Sequence, residues 1–332
     1  AERCFEQIKG FSDYGFPESH AASFALLVYI SCWLKHHHPA IFACALLNSQ
    51  PMGFYAPAQI IRDARQHGVK VHGVDINHSD WDCTLEGTDL RIGLRQIRGF
   101  AKERAIDLVA ARNSPYTSLA NLQQRTNLRI FDIEKLSLAD AFGSIGLDRR
   151  QARWEARALS RETKSPLFAH TDGPQEGFEE PVQLPLMPLP EHVIADYQTL
   201  RFSLKAHPVT FLRNDFTAAK IITCTEMAKM KNRAWVRIAG LVLVRQRPGS
   251  AKGVVFMTIE DETGVANIIV WKTVKDQYNK VVMAAKLVEI YGQIQAQDNV
   301  MHLVAKKLID RTSMLSRLAG EHPKMPASRD FH

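Results

Sequence analysis

The chain is 332 residues long, room for two or three domains, and its 45% hydrophobic and 23% charged content excludes a disordered polymer. A formal net charge of +7 and a pI near 9.1 fit a polyanionic partner. The longest apolar run, Ala21 to Leu34, is too short to cross a bilayer, and five scattered cysteines without a Cys-x-x-Cys pair argue against a zinc ribbon and for a reducing compartment. No signal peptide opens the chain. Ala1 leads straight into Cys4-Phe5-Glu6-Gln7-Ile8, a mid-helix pattern, so a piece of a longer protein is expected.

Phe11 to Pro17 reads as a turn, and Glu18 to Lys35 as a long helix with little polar face, expected to be buried. His38-Pro39 ends it. Further helices are predicted over Ala40 to Leu47 and Pro57 to His67, the latter stopped by Gly68. Val69 to Asn77, Cys83 to Leu85 and Leu90 to Leu94 read as short extended segments, and Gln96 to Leu159 as helical. Six of the fifteen prolines then fall between Pro166 and Pro190, which marks an extended linker. After helical stretches at His192 to Phe202 and Val209 to Asp215 the period changes to that of strands. Five are predicted, starting at Trp235, Gly253, Val265, Leu287 and Val300, with a helix over Val274 to Ala284 after the third. That order is the order of an OB-fold barrel.

The window around Gly99-Phe100-Ala101 carries the most chemistry. It predicts a tight turn between two short amphipathic helices, seamed by Leu94, Ile97, Ala105, Leu108 and Val109. The second helix opens with Lys102 and Arg104, and Arg98 precedes the turn. A helix N-terminus offers free N–H groups and the positive end of the dipole, and glycine permits close approach of a phosphate. This is the spacing of a helix-hairpin-helix; an ordinary helical corner in a core would also fit. A second hairpin is predicted where Gly143 and Gly146 bracket Ile145, Asp148 caps the next helix, and Arg149 and Arg150 fill its first turn. Cations there oppose the helix dipole, which a phosphate between them would offset; a solvated basic helix start is the alternative.

On the barrel, Arg245, Arg247 and Lys252 flank a Pro-Gly loop, and Phe256 and Trp271 lie on the following strands. Basic groups beside exposed aromatics would suit a single strand, whereas core positions for the two rings would not. His36-His37-His38 looks metal-like, but three consecutive residues at a helix end point in different directions; Asp75, His78, Asp80 and Asp82 fall where local hydrogen bonding is common, with a carboxylate pair for two-metal chemistry as the alternative. In the linker, Gln183, Leu184, Leu186 and Met187 form a short apolar peptide that reads either as a partner-binding segment or as a spacer tucked against a domain.

Tyr14-Gly15-Phe16-Pro17-Glu18-Ser19-His20-Ala21-Ala22-Ser23-Phe24, with Trp33-Leu34-Lys35 and His38-Pro39, resembles the fingers segment of the alpha subunit of bacterial DNA polymerase III. The resemblance continues through Val74-Asp75-Ile76-Asn77, both hairpins and the barrel. Asp148-Arg149-Arg150-Gln151-Ala152 and the ending at Ser328 to His332 look like the error-prone branch of that C family, used in damage-induced mutagenesis. The resemblance implies a C-terminal fragment of multidomain α+β architecture, mainly helical fingers and tandem hairpins followed by a five-stranded OB barrel. The divisions it suggests are 1–92 fingers, 93–160 hairpins, 161–190 linker, 191–230 helical connector, 231–312 OB-fold and 313–332 tail.

By the same resemblance, Tyr14 lies near the base and His20 near the triphosphate of an incoming nucleotide. Replicative members usually carry Lys where this chain has Glu18, which removes a cation from that neighbourhood. The hairpins are expected to grip duplex DNA and the barrel to hold single-stranded template. The Gln183 to Met187 peptide falls where replicative relatives carry a sliding-clamp motif, making the clamp a candidate partner. An inactive Y-family-like polymerase and a recombinase-like accessory protein are implied as further partners, with no membrane. The parent enzyme would use Mg2+ held by palm carboxylates that no residue here matches, so no catalytic residue and no cofactor are expected in the fragment, which would be cytoplasmic. The rival reading, a non-catalytic repair or ligase-like module, lacks its expected Lys-x-Asp-Gly nucleophile; an anticodon-binding OB protein is a second rival.

Overall fold

The computed structural model describes residues 18–53, 55–159, 184–249, 253–297 and 300–318. The chain divides into two units, Ala1–His72 with Ser79–Leu94 and Gly73–His78 with Arg95–His332.

In the first unit, α1 (Glu18–His37), α2 (Pro39–Asn48) and α3 (Pro57–Gln66) follow one another. Pro39 and Pro57 open their helices, where a missing N–H costs nothing. Ala43 and Leu47 of α2 and Ile60, Ile61 and Ala64 of α3 are buried. Three short strands, β1 (Val71–His72), β2 (Thr84–Glu86) and β3 (Asp89–Arg91), pair in the order β1-β3-β2, with β1 parallel to β3. The expected burial of α1 is not observed: Phe24, Leu26, Leu27, Tyr29 and Trp33 are all exposed. A helix apolar all round needs neighbours on every side. Among the described residues α1 packs on α2 and is tied near its C-terminus by Lys35 to Asp63 at 2.7 Å. No helix of the described residues is long and apolar enough to cross a membrane.

The second unit carries helices α4 (Lys102–Ala110), α5 (Leu119–Arg125), α6 (Ile130–Leu138) and α7 (Arg149–Ala158). Ser118 caps α5 by accepting from the Asn121 N–H at 3.1 Å, and Asp148 caps α7 by accepting from the Gln151 N–H at 2.6 Å. The first hairpin departs from its sequence reading. Its leading helix is only a 3-10 turn at Leu94–Gln96, because β3 runs to Arg91 and Gly99 already turns the chain at φ 70°. The linker also ends earlier than expected: α8 (Leu189–Thr199) begins inside the proline-rich stretch, with Pro190 in its first turn, where proline is tolerated. Two short helices, α9 (Arg213–Ala218) and α10 (Cys224–Met227), lead to the barrel.

Strands β4 (Trp235–Gln246), β5 (Val255–Glu260), β6 (Val265–Val270), β7 (Leu287–Gln297) and β8 (Val300–Asp310) close in the order β4-β5-β6-β8-β7. Only β6 and β8 pair in parallel. Helices α11 (Lys272–Gln277) and α12 (Asn279–Ala284) fall between the third and fourth strands, and α13 (Thr312–Ser316) follows the fifth. This is a closed OB-fold barrel on a helical hairpin region, an α+β architecture. Alternate residues such as Ile238, Met257, Ile268, Ile290 and Leu303 fill its interior. A second apolar cluster joins Ile194, Val209 and Phe216 of the connector to Ala239 and Leu287 of the barrel and Leu315 of α13. Arg213 adds a polar tie, bonding both Asp261 and Glu262.

Candidate nucleic-acid interface

The first hairpin presents an open, basic turn. Arg98, Gly99, Ala101 and Lys102 are exposed, whereas Phe100 is buried and anchors the turn from beneath. Gly99 adopts a left-handed φ of 70°, a conformation that favours glycine. Ala101 at the N-cap has no side-chain acceptor, so the first N–H groups of α4 are not capped by it. Arg104 is turned inward, bonding the Asn127 carbonyl at 3.0 Å and lying 3.6 Å from both Asp107 and Asp132. Lys135 of α6, absent from the sequence reading, donates to the Gly99 carbonyl and sits 4.4 Å over the Phe131 ring.

The second hairpin is built differently. Gly143 and Gly146 are exposed and Ile145 half-buried, with Gly146 left-handed at φ 77°. Asp75 pins the turn by accepting from the Ser144 N–H at 2.9 Å, while also accepting from the Asn77 N–H and bonding His78. The expectation that Arg149 and Arg150 meet phosphate is corrected. Arg149 is 2% exposed, donates to Asp196 and reaches the His192 carbonyl at 2.8 Å. Arg150 is half-buried and pairs with Glu191 at 2.9 Å. The cations that oppose the α7 dipole are answered by carboxylates of α8.

Around that pair lies a polar network with a pH signature. Lys205 binds Asp140 at 2.8 Å and approaches Asp196 at 3.5 Å, and Ser203 donates to Asp196 at 2.7 Å. Burial disfavours the charged form of His192 and the Arg149 charge adds to this, holding its pKa below the ordinary 6.5. Burial alone would raise Asp140, but Arg149, Lys205 and His192 outweigh it and hold the carboxyl below its usual 3.8. Both groups bind fewer protons folded than unfolded, so each contributes stability that is present above its unfolded pKa and lost as pH falls. Thermal melts of wild type and His192→Gln should therefore converge as pH drops through the ordinary histidine range. A wild-type advantage that grows on acidification would contradict this assignment.

On the barrel, Arg245 is also corrected. Its guanidinium is buried and donates to the Val282 carbonyl at 2.6 Å and to the Ala285 carbonyl, closing the C-terminal end of α12. Arg247 is exposed, Phe256 is 38% exposed and Trp271 is likewise on the surface. Sequence reasoning missed a second aromatic site. Trp235 and Tyr291 stack with ring centroids 5.2 Å apart, and Arg237 lies 5.7 Å over Tyr291. The alternation Trp235-Val236-Arg237-Ile238 carries the signal, since it puts Trp235 and Arg237 on the face opposite the buried pair.

The apolar peptide sits on α7 and α8. The Leu184 N–H reaches Gln151 at 3.4 Å and Arg150 donates to the Pro185 carbonyl at 3.0 Å. Leu184 and Met187 line a cleft of about 380 Å³ with Arg153 and Trp154, whereas Leu186 is 82% exposed. His20, in the first unit, lies exposed on α1 with its ring edge-on to Phe24 at 4.5 Å. Tyr14, Gln183 and Lys252 lie outside the described residues. Among the described residues no group of three or more His, Cys, Asp or Glu comes together as a metal-holding cluster.

Comparison with known proteins agrees with both modules. Residues 68–152 match a family described as the helix-hairpin-helix motif, and residues 236–310 one described as an OB-fold nucleic acid binding domain. An error-prone DNA polymerase of Brucella abortus is 50% identical over 355 residues, covering 100% of this chain and 33% of the relative. That of Rhodopseudomonas palustris is 50% identical over 362 residues, covering 100% and 30%. An error-prone DNA polymerase 1 of Rhizobium meliloti is 50% identical over 347 residues, covering 97% and 31%. The chain thus spans about a third of the length of the curated relatives it matches.

Proposed function

We propose that this chain, half identical to error-prone DNA polymerases of bacteria, belongs to the C family and forms the DNA-gripping part of such an enzyme, acting in synthesis past damage and in repair. The observation that carries this is the first hairpin: an exposed left-handed Gly99, an uncapped α4 N-terminus, and Arg98 and Lys102 beside it. Backbone N–H groups and point charges bind a phosphate without reading a base, as a polymerase that must follow any sequence requires. The second hairpin contributes its exposed Gly143–Gly146 backbone and a rigid seat, its arginines being committed to α8. The barrel holds single-stranded template through Arg247, Lys252 and Phe256.

The parent enzyme would transfer nucleotides to a primer using Mg2+, with Tyr14 and His20 beside the incoming nucleotide. This stretch alone should bind DNA and not polymerise it. Contact with a sliding clamp through Leu186, or through an inactive Y-family-like or recombinase-like partner, belongs to the same reading.

The test is fluorescence anisotropy with primed template, blunt duplex and single-stranded DNA across a salt series. Primed template should bind best, and affinity should fall steeply with salt. Lys102→Glu should weaken duplex binding and lower the log–log salt slope by about one unit or slightly more, leaving the melting temperature unchanged. Equal slopes for variant and wild type would remove Lys102 from the interface. Nucleotide incorporation by this chain alone would overturn the assignment of its role.

A further inference from the structure

The barrel's cross-strand register joins its two exposed aromatic sites. Phe256 on β5 pairs with Ile269 on β6, Ile269 with Val304 on β8, Val304 with Gln293 on β7, and Gln293 with Trp235 on β4. Cross-strand partners point to the same side of a sheet, so these five side chains form one band around the outside. It crosses four strand spacings, about 19 Å at about 4.8 Å each. Its middle, Ile269, Val304 and Gln293, is half-buried and mostly apolar. Its far end is the Trp235–Tyr291 stack, with Trp235 49% and Tyr291 37% exposed.

Cations lie beside that end. Tyr291 pairs across the sheet with Arg237 on one side and Lys307 on the other. Lys306, adjacent to Lys307 at the β7–β8 register shift, is exposed as well. Arg237 and Lys307 enter no ion pair among the described residues, unlike Arg149 and Arg150. Exposed rings with a basic flank fit an unpaired nucleic-acid strand, whose bases offer π-faces and whose backbone offers negative charge.

We propose that the single strand follows this band across β5, β6, β8 and β7 to the Trp235–Tyr291 stack, where a base rests on Trp235 and the backbone meets Arg237 and Lys307. The path rests on the reading of the barrel as a single-strand holder and extends it to a second face. A run of about 19 Å lies within the reach of the shortest strands an OB barrel covers, on the order of four nucleotides.

The test compares a short oligothymidylate with an abasic strand of equal length, which keeps the phosphates and lacks the bases. For the full chain, Trp235→Ala should weaken oligothymidylate binding by about tenfold or more and change abasic binding by less than about twofold. Tyr291→Phe, which keeps the ring, should bind like wild type. Lys307→Glu should weaken both strands alike and lower the salt slope by about one unit. Thermal melts of each variant report that the barrel stays folded.

If wild type prefers oligothymidylate and Trp235→Ala retains that preference, the path through Trp235 is wrong and the holder reading survives. If wild type binds both strands equally, the barrel binds phosphates only and the stacking site falls. If it binds neither, the reading of the barrel falls and the path with it.

Discussion

Arg149→Ala should cost the second unit about 3–5 kcal/mol, the range for removing one partner of a buried ion pair. The guanidinium is almost wholly enclosed, and its loss strands the Asp196 carboxylate in a site where Ser203 and Lys205 are its remaining partners. It also removes the bond to the His192 carbonyl that ties α7 to the second turn of α8. Asp196→Asn should also destabilise, leaving a buried cation without its counter-charge. A paired apolar replacement, Arg149→Met with Asp196→Leu, should cost less than either single change, because no charge is left unanswered. Denaturant unfolding of the four proteins tests this order of stability. Were Arg149 a phosphate ligand, its loss would weaken DNA binding and leave stability alone. Unaltered unfolding curves for both single variants would show that the pair holds nothing together.

The second large effect belongs to Gly292. A Cβ there would stand 2.3 Å from the Val304 carbonyl oxygen and 3.1 Å from Leu303 Cγ. That oxygen is part of the β7–β8 backbone and cannot withdraw without breaking the ladder that closes the barrel. Gly292→Ala should therefore exceed the ~1–3 kcal/mol typical of an extra methylene in a packed core. The barrel should lose its cooperative melt and, with it, single-strand binding. Gly87→Ala, at a turn with nothing within 4 Å, is the control: it bears only the strain of a left-handed φ of 64°. Soluble, cooperatively melting Gly292→Ala protein would refute the clash.

Much of this fold is legible in the sequence because it is local. Period-two patterning from Trp235 onward marks the strands, and the helix after the third fixes the barrel order. Gly99 and Gly146 mark turns that only a left-handed residue suits. What is not legible is which partner answers a charge. Arg149 and Arg150 look the same from sequence whether a phosphate or a carboxylate faces them, and Asp196 and Glu191 lie more than forty residues away, beyond a proline-rich stretch. Arg245 is hidden for the same reason, since its acceptors are carbonyls at the end of a helix nearly forty residues downstream. The exposure of α1 shows the converse limit: an apolar sequence states what a helix could bury against, not what is there.

The parallel β6–β8 pair that completes the barrel has a consequence for how this protein meets others. A sheet that returns to its own first strand has no rim of unpaired amides, and it is through such rims that sheet proteins recruit foreign strands and clump. The first half of β4, which β5 does not reach, is covered by the chain itself, Ile222 bridging Ile238 and donating its N–H to the Arg237 carbonyl, so docking on this barrel is left mainly to side chains. With its strand edges paired in this way, its outer surface is left to ligands that present rings and charges instead of a backbone ladder.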